Sequence, residues 1–240
     1  MTRSGFWRCG AFVAGAIAHL VVAAIVAAAP TLPASLSPAI RARLEAVSQA
    51  AAVSAHVEAD PFPARPEVFA YLLDHPEFAS KVTRVLKAAR YRIWRDADGL
   101  RLDDGWGTIG RFEVVYATGR TRVLHARGTY SKRLLPDIHG EAVVMIEYDV
   151  RRAPDGRPLI AAAVTGHVKL DNGLLSGMAK FAGPVAQAKA DREARGLVRV
   201  FAKVMRLGDE QPAALCRDLA EQPDVSAHER SEFCTLLGAR

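Results

Sequence analysis

Cysteine is scarce in this chain, with three among 240 residues. Cys9 stands near the amino terminus, whereas Cys216 and Cys234 both lie near the carboxyl terminus. This number excludes a disulfide-rich secreted scaffold, and it leaves two alternatives for the carboxyl-terminal pair. In an oxidising compartment Cys216 and Cys234 would form one disulfide; otherwise they are two buried thiols that act as small hydrophobic side chains.

A concentrated block of positive charge is also missing. The chain has 32 Lys and Arg residues against 26 Asp and Glu residues, a formal net charge of +6 that is spread along its length. Nucleic-acid-binding proteins cluster their basic residues in a patch or stripe, so we expect no nucleic-acid partner. A mild basic excess is compatible with a position beside an anionic membrane.

The common signatures of catalysis and metal binding are absent from the sequence. Its seven histidines show no HxH, HExxH or paired Cys/His spacing, and no GxSxG, P-loop or GxGxxG motif occurs. We therefore predict no catalytic residue, no metal and no cofactor. His125 and His167 share a polar strand face with Glu147 and Asp149, which would allow an acid/base cluster, but a solvated outer face is the simpler interpretation.

The one long hydrophobic run lies at the amino terminus. Arg3 and Arg8 precede residues 11–29, which are apolar except for His19. A basic start before such a run predicts that residues 1–29 are a signal anchor or a cleaved signal peptide, and a buried core helix fits less well. Either main interpretation places the rest of the chain outside the cytoplasm, in the periplasm if the cell is Gram-negative.

Residues 30–52 have the composition of a proline-rich linker followed by a short helix. Residues 53–60 alternate like a strand, and residues 64–82 predict two short helices separated at Asp74-His75-Pro76. Pro66 and Pro76 suit first helical turns, and Asp74 suits the cap of the second helix.

After Ala89 the hydrophobic period changes to two, and after Asn172 it becomes helical. The helical part continues to about residue 207, and residues 208–240 resemble a helical hairpin that turns at Pro223. An α+β fold follows, because short turns between successive strands favour an antiparallel sheet. The predicted strands cover residues 90–95, 99–103, 107–117, 121–131, 140–152 and 159–170.

The stretch VSAHVEADPFPARPEVFAYLLDHPEF, residues 53–78, joins a strand to a proline-marked helix, a break and a second helix. With the strands and long helix that follow, residues 53–207 resemble the START-like superfamily, also called SRPBCC, the helix-grip or polyketide cyclase/lipid transport group. The resemblance implies an antiparallel curved sheet that grips a long C-terminal helix, with an apolar cavity between them. Members bind lipids, sterols, polyketides, plant hormones or quinones; some are cyclases, and many have no catalytic residue.

The strand alternation supports an apolar face that could line such a cavity, although a filled core would show the same pattern. Small residues such as Ala126 and Gly166 on that face either let the helix pack closely or leave a void. We expect ligand contacts from the aromatic and methionine residues of this face and of the helices. These predicted ligand-binding residues are Tyr71, Phe78, Phe112, Tyr116, Tyr130, Tyr148, Met178 and Phe181.

The segment SKRLLPDI, residues 131–138, combines basic and apolar side chains at a predicted hairpin tip. Leu134 and Leu135 there could touch a bilayer or cover a cavity mouth, or they could anchor the loop in the ordinary way. The leading hypothesis is a membrane-tethered, extracytoplasmic binding or transfer module for an apolar small molecule or lipid. The alternatives are a cyclase- or hydrolase-type enzyme of the same fold, and a structural or assembly protein that binds a partner through residues 208–240.

Overall fold

A computed structural model describes residues 31–133, 135–171 and 173–239. The described residues form an α+β fold, in which one large curved antiparallel sheet carries helices on both faces. The elements are α1 Pro38–Gln49, β1 Val53–Glu58, β2 Phe62–Pro63, α2 Pro66–Asp74, α3 Pro76–Val85, β3 Arg92–Asp96, β4 Gly99–Asp103, β5 Thr108–Thr118, β6 Thr121–Lys132, β7 Leu135–Arg152, β8 Pro158–Leu170, α4 Gly173–Glu210, α5 Pro212–Ala220 and α6 Ala227–Leu236.

The eight strands of the described residues lie in the order β1-β8-β7-β6-β5-β4-β3, and β2 also pairs with β8. Strands β3 to β8 are joined in sequence order, because each turn between them is short enough for an antiparallel neighbour. The β5–β6 turn illustrates the local cause, since Gly119 adopts a φ of +56° that L side chains rarely tolerate. The six predicted strands after Ala89 are all present, with bounds that differ by a few residues.

The two short helices α2 and α3 meet at His75, where the chain leaves helical geometry (φ −122°, ψ 66°). Pro76 starts α3, and its missing N–H needs no partner at that position. Asp74 does not cap α3, so the predicted capping role is wrong. Its carboxylate instead accepts two hydrogen bonds from Arg122 of β6, at 2.7 Å from Nε and 2.9 Å from Nη2.

We call the face of the sheet that contacts α4 the inner face; it carries Tyr148, Ile160 and Ala162. Helix α4 crosses this face close to β1 and β8, and Val198 of its second half packs there. Leu215 and Leu219 of α5 are buried in the same core. The main core therefore fills the space between the inner face and the helices at the α2–α3 end.

The carboxyl-terminal helices α5 and α6 form a hairpin that belongs to this core. Phe233 of α6 is 1% exposed, and its ring centroid lies 5.1 Å from that of Phe78. Cys216 and Cys234 are joined by a disulfide across the hairpin, with their Cα atoms 5.9 Å apart. Removing the hairpin would uncover Phe78, so a partner could use only its outward surface.

The opposite face, which we call the outer face, is covered in part by α1. Leu44 and Val47 of α1 pack on Val123, Val143 and Met145 of the sheet, and these five residues are buried. Of the residues predicted to lie on a solvated outer face, Glu147 and Asp149 are exposed, but His125 and His167 are buried, so the prediction is wrong for the two histidines. The sequence pattern missed the packing of α1 on this face because α1 covers polar and apolar rows alike.

One strand irregularity changes which face a predicted ligand contact occupies. The pairing of β5 with β6 shifts between Val114 and Tyr116, so that Tyr116 lies opposite Val123. Tyr116 consequently joins the outer-face cluster beside α1, and its predicted inward direction is wrong. Its hydroxyl accepts a hydrogen bond from Ser35 at 3.3 Å.

Within residues 31–133, 135–171 and 173–239, no helix is both long and apolar enough to cross a membrane. The predicted signal anchor or signal peptide, residues 1–29, lies outside the described residues.

Candidate functional site

The predicted ligand-binding residues separate into five groups in the structure. Tyr130 and Phe112 lie on the inner face, toward the end of the sheet where α4 begins. Tyr148 lies on the same face inside the main core. Tyr71 and Phe78 belong to the α2–α3 pair, whereas Tyr116 is on the outer face. Met178 and Phe181 lie in α4, and their side chains are outside the described ones.

The core at the α2–α3 end is filled by aromatic rings. Phe69 meets Tyr148 and Phe201 with centroid distances of 5.0 and 5.5 Å, both edge to face. Phe78 has no exposed surface and contacts Tyr71 at 5.9 Å. Rings in this geometry occupy the volume between the elements, so a cargo site would have to lie further along the inner face.

Tyr71 shows how the hairpin closes this end. Its hydroxyl donates to Glu232 of α6 at 3.1 Å, and its ring stacks on His75 with 4.1 Å between centroids. Burial, followed by the hydrogen bond and charge of Glu232, raises the pKa of Tyr71 to about 12. Tyr71 therefore stays protonated at neutral pH and acts as a hydrogen-bond donor between α2 and α6.

The inner face changes character toward the end of the sheet where α4 begins. Leu124, Val144 and Val168 are only half-buried there. At Gly166, an added Cβ would meet no atom of the described residues within 4 Å. Leu124 and Val144 pack against the cluster of Ile146, Val164 and Val198, so the half-buried surface beside Gly166 is the part of this face that could receive an apolar molecule.

Three glycines cross the sheet next to this open area, and their register pairs Gly110 with Gly128 and Gly128 with Gly140. An added Cβ would lie 2.9 Å from the Arg127 carbonyl oxygen at Gly110 and 2.7 Å from the Lys169 carbonyl oxygen at Gly140. Neighbouring strands approach so closely that only glycine fits. The row therefore leaves β5, β6 and β7 without side chains on the inner face at this level, between Leu102 of β4 and Leu170 of β8.

The outer face holds a polar cluster beside α1, centred on the buried ring of His125. His125 is 4% exposed, and its Nε2 and Nδ1 lie 3.0 Å from Glu141 and 3.4 Å from Glu113. Glu113 in turn accepts a hydrogen bond from Arg43 of α1 at 2.6 Å. The acidic partners are thus Glu113 and Glu141, and not the sequence-predicted Glu147 and Asp149.

The charges around Glu141 keep it ionised. Burial alone would raise the pKa of Glu141, but the hydrogen bond from His125 and the charges of Arg127 and Lys169 hold it below its usual value. Glu141 is therefore a fixed negative charge beside His125. Sequence reasoning missed it because Glu141 is one of several charged residues on a strand face that has no distinctive spacing.

His167 lies on the same outer face, two strands from His125. Its Nδ1 is 2.8 Å from the Ser54 hydroxyl, while its buried Nε2 has no hydrogen-bond partner among the described residues. Burial lowers the pKa of His167, so the ring is neutral at pH 7. A serine beside a histidine is half of a hydrolytic site, but no carboxylate of the described residues orients this ring.

Other sites receive little support from the described residues. They contain no group of three or more His, Cys, Asp or Glu side chains that could hold a metal ion. One open depression lies around Arg84 and Arg90, and another lies on the outer face around Arg111, Arg127 and His139. Neither depression is lined by a predicted ligand-binding residue.

No family model matches the sequence, and no curated protein matches it either. Among solved structures, a hypothetical protein of Helicobacter pylori is 12% identical with a TM-score of 0.38, covering 65% of this chain and 86% of that one. A conserved protein of Geobacillus kaustophilus is 13% identical with a TM-score of 0.39, covering 66% of this chain and 95% of that one. These similarities are too low to support an argument about family or function.

Proposed function

We propose that this chain is a membrane-tethered, extracytoplasmic module that binds or transfers an apolar small molecule or lipid. The arrangement would be the START-like helix grip, with the cargo held between the inner face and the first half of α4. The observation that carries the proposal is the open stretch of the inner face around Gly166, where an added Cβ meets no described atom within 4 Å.

Two features support this position for the cargo. The aromatic core fills the inner face at the α2–α3 end, so a cargo would lie toward the start of α4. Half-buried Leu124, Val144 and Val168 supply apolar walls, and Tyr130 of the same face supplies one hydroxyl. A few polar handles in an apolar lining are typical of small-molecule sites.

The experiment is native mass spectrometry of the full chain, purified in a mild detergent, together with solvent extraction of the same sample. We expect a bound apolar species that is present in the extract and absent from a matched detergent blank. A chain that carries no adduct, and whose extract equals the blank, would contradict the proposal.

A further inference from the structure

The β4–β5 turn lies beside the end of β6, at the end of the sheet where α4 begins. The β4–β5 turn, residues 104–107, contacts the end of β6 through a hydrogen bond from the Ser131 N–H to the Gly107 carbonyl at 2.9 Å. Gly107 has a φ of +112°, and an added Cβ would stand 2.5 Å from the Ser131 carbonyl oxygen. Glycine at this position allows the β4–β5 turn to contact Ser131 of β6.

This end exposes large apolar side chains. Trp106 is 62% exposed and Ile109 is 56% exposed, the two highest values for large hydrophobic residues among those described. Trp94, which lies further along β3 and does not belong to this end, is 39% exposed. Single exposed apolar residues are common, but a tryptophan and an isoleucine of this exposure, three positions apart in the chain, give this end of the sheet an apolar character that another surface could cover.

Hydrogen bonds within the β4–β5 turn fix the position of the Trp106 backbone. The Asp104 carboxylate accepts hydrogen bonds from the N–H groups of Trp106 at 2.7 Å and Thr108 at 2.9 Å. The Asp103 carboxylate accepts from the Gly105 N–H at 2.8 Å. Because these bonds hold the backbone, Trp106 is presented outward at a fixed place and does not lie on a loose loop.

Positive charge accompanies the two apolar residues. The Arg90 guanidinium lies over the Trp106 ring, 5.5 Å from its centroid. Arg133 is exposed in the adjoining turn. Among the described residues, no carboxylate lies within 4 Å of either guanidinium. Asp103, at the end of β4, is paired with Arg92 at 3.2 Å.

We infer that this end of the domain, defined by Arg90, Trp106, Ile109 and Arg133, docks on the headgroup region of an anionic phospholipid bilayer. Tryptophan prefers the interface between water and lipid, and arginine is attracted by anionic headgroups. The inference rests on the proposed function, since an apolar cargo would pass between the bilayer and the inner face at this end of the sheet. Ile109 itself lies on the outer face, where it pairs with Thr129.

The test uses the full chain with one tryptophan retained, reconstituted in vesicles that contain brominated lipid as a fluorescence quencher. Trp7→Phe with Trp94→Phe leaves Trp106, and the matched control, Trp7→Phe with Trp106→Phe, leaves Trp94. Trp94 is a suitable control because it lies in β3, further from the β4–β5 turn and the end of β6. Circular dichroism would verify that both chains fold.

In vesicles rich in phosphatidylglycerol, we expect Trp106 to be quenched at least twofold more than Trp94. In phosphatidylcholine vesicles the difference should disappear, and Arg90→Glu with Arg133→Glu should reduce Trp106 quenching at least threefold. Equal quenching of the two tryptophans, or quenching that ignores lipid charge, would overturn the inference. A single-stranded oligonucleotide that abolishes Trp106 quenching would overturn it as well, since it would identify the end as a nucleic-acid surface.

This result is separable from the outcome for the cargo. If Trp106 is quenched but no apolar species co-purifies, the docking end stands and the proposed function fails. If cargo co-purifies and Trp106 is not quenched, the docking inference alone is wrong.

Discussion

The pair formed by Asp74 and Arg122 offers a test of how the break between α2 and α3 is held. Arg122 is 6% exposed, whereas the Asp74 side chain is 43% exposed. The guanidinium also donates to the Gly119 and Thr121 carbonyls, each at 3.0 Å. Replacing Asp74 would therefore leave a buried cation with two neutral acceptors and no counter-charge.

The expected cost can be bracketed from the two limiting cases. Removing one partner of a fully buried pair costs about 3–5 kcal/mol, and exposed pairs contribute about 0–1 kcal/mol. The half-exposed carboxylate and the remaining carbonyl bonds place Asp74→Asn between them, at about 2 kcal/mol of unfolding free energy. For a chain of this size that loss lowers Tm by roughly 4–8 °C.

Asp74→Asn distinguishes an ion pair from a helix cap, because asparagine caps a helix about as well as aspartate does. The matched control is Asp149→Asn, whose partner Arg120 lies 3.2 Å away with both side chains largely exposed. Both variants would be unfolded in urea, and we expect the control to lose less than about 0.5 kcal/mol of unfolding free energy. Equal, small losses for both variants would refute the reasoning about Arg122.

Three further predictions concern other parts of the chain. Burial lowers the pKa of His167, so the unfolded chain binds a proton at this imidazole more tightly than the folded chain does. The stability that depends on neutral His167 is complete above a pH of about 6.5 and is lost as pH falls below it. His167→Gln should therefore flatten this part of a curve of Tm against pH. The disulfide between Cys216 and Cys234 spans 18 residues, so replacing both with serine should cost about 3 kcal/mol of unfolding free energy in thermal unfolding. Reduction of the unaltered chain should raise its intact mass by two hydrogen atoms. Leu44→Ala should lower the unfolding free energy by about 2–4 kcal/mol, since the Leu44 side chain of α1 has no exposed surface. Glu45→Ala, at an exposed position of the same helix, should change Tm little.

The strand order could be predicted from the sequence because its signals are local. Turn residues such as Gly119 interrupt the alternation at the positions where the chain reverses. Pro76 similarly marks the start of α3, because proline fits the first helical turn. Each of these features depends on a few neighbouring residues, so no knowledge of the packed structure is needed.

The errors arise where distant segments decide the outcome. The bulge near Val114 moves Tyr116 to the outer face, and alternation alone does not reveal a one-residue shift. Asp74 has the residue type of a cap, but its partner is 48 positions away. His125 pairs with Val143, which packs under α1, and the pattern of α1 predicts an amphipathic helix without indicating which surface it covers.

The proposed cargo site depends on space above Gly166, and filling that space is the sharpest test of it. Gly166→Leu places a branched side chain on the inner face, while Ala161→Leu adds the same side chain on the outer face of the same strand. With mass spectrometry of the purified full chain, we expect Gly166→Leu to lose at least nine-tenths of the bound apolar species and Ala161→Leu to retain it, with both chains folded. Full retention of the apolar species by Gly166→Leu would contradict a cargo site between the sheet and α4.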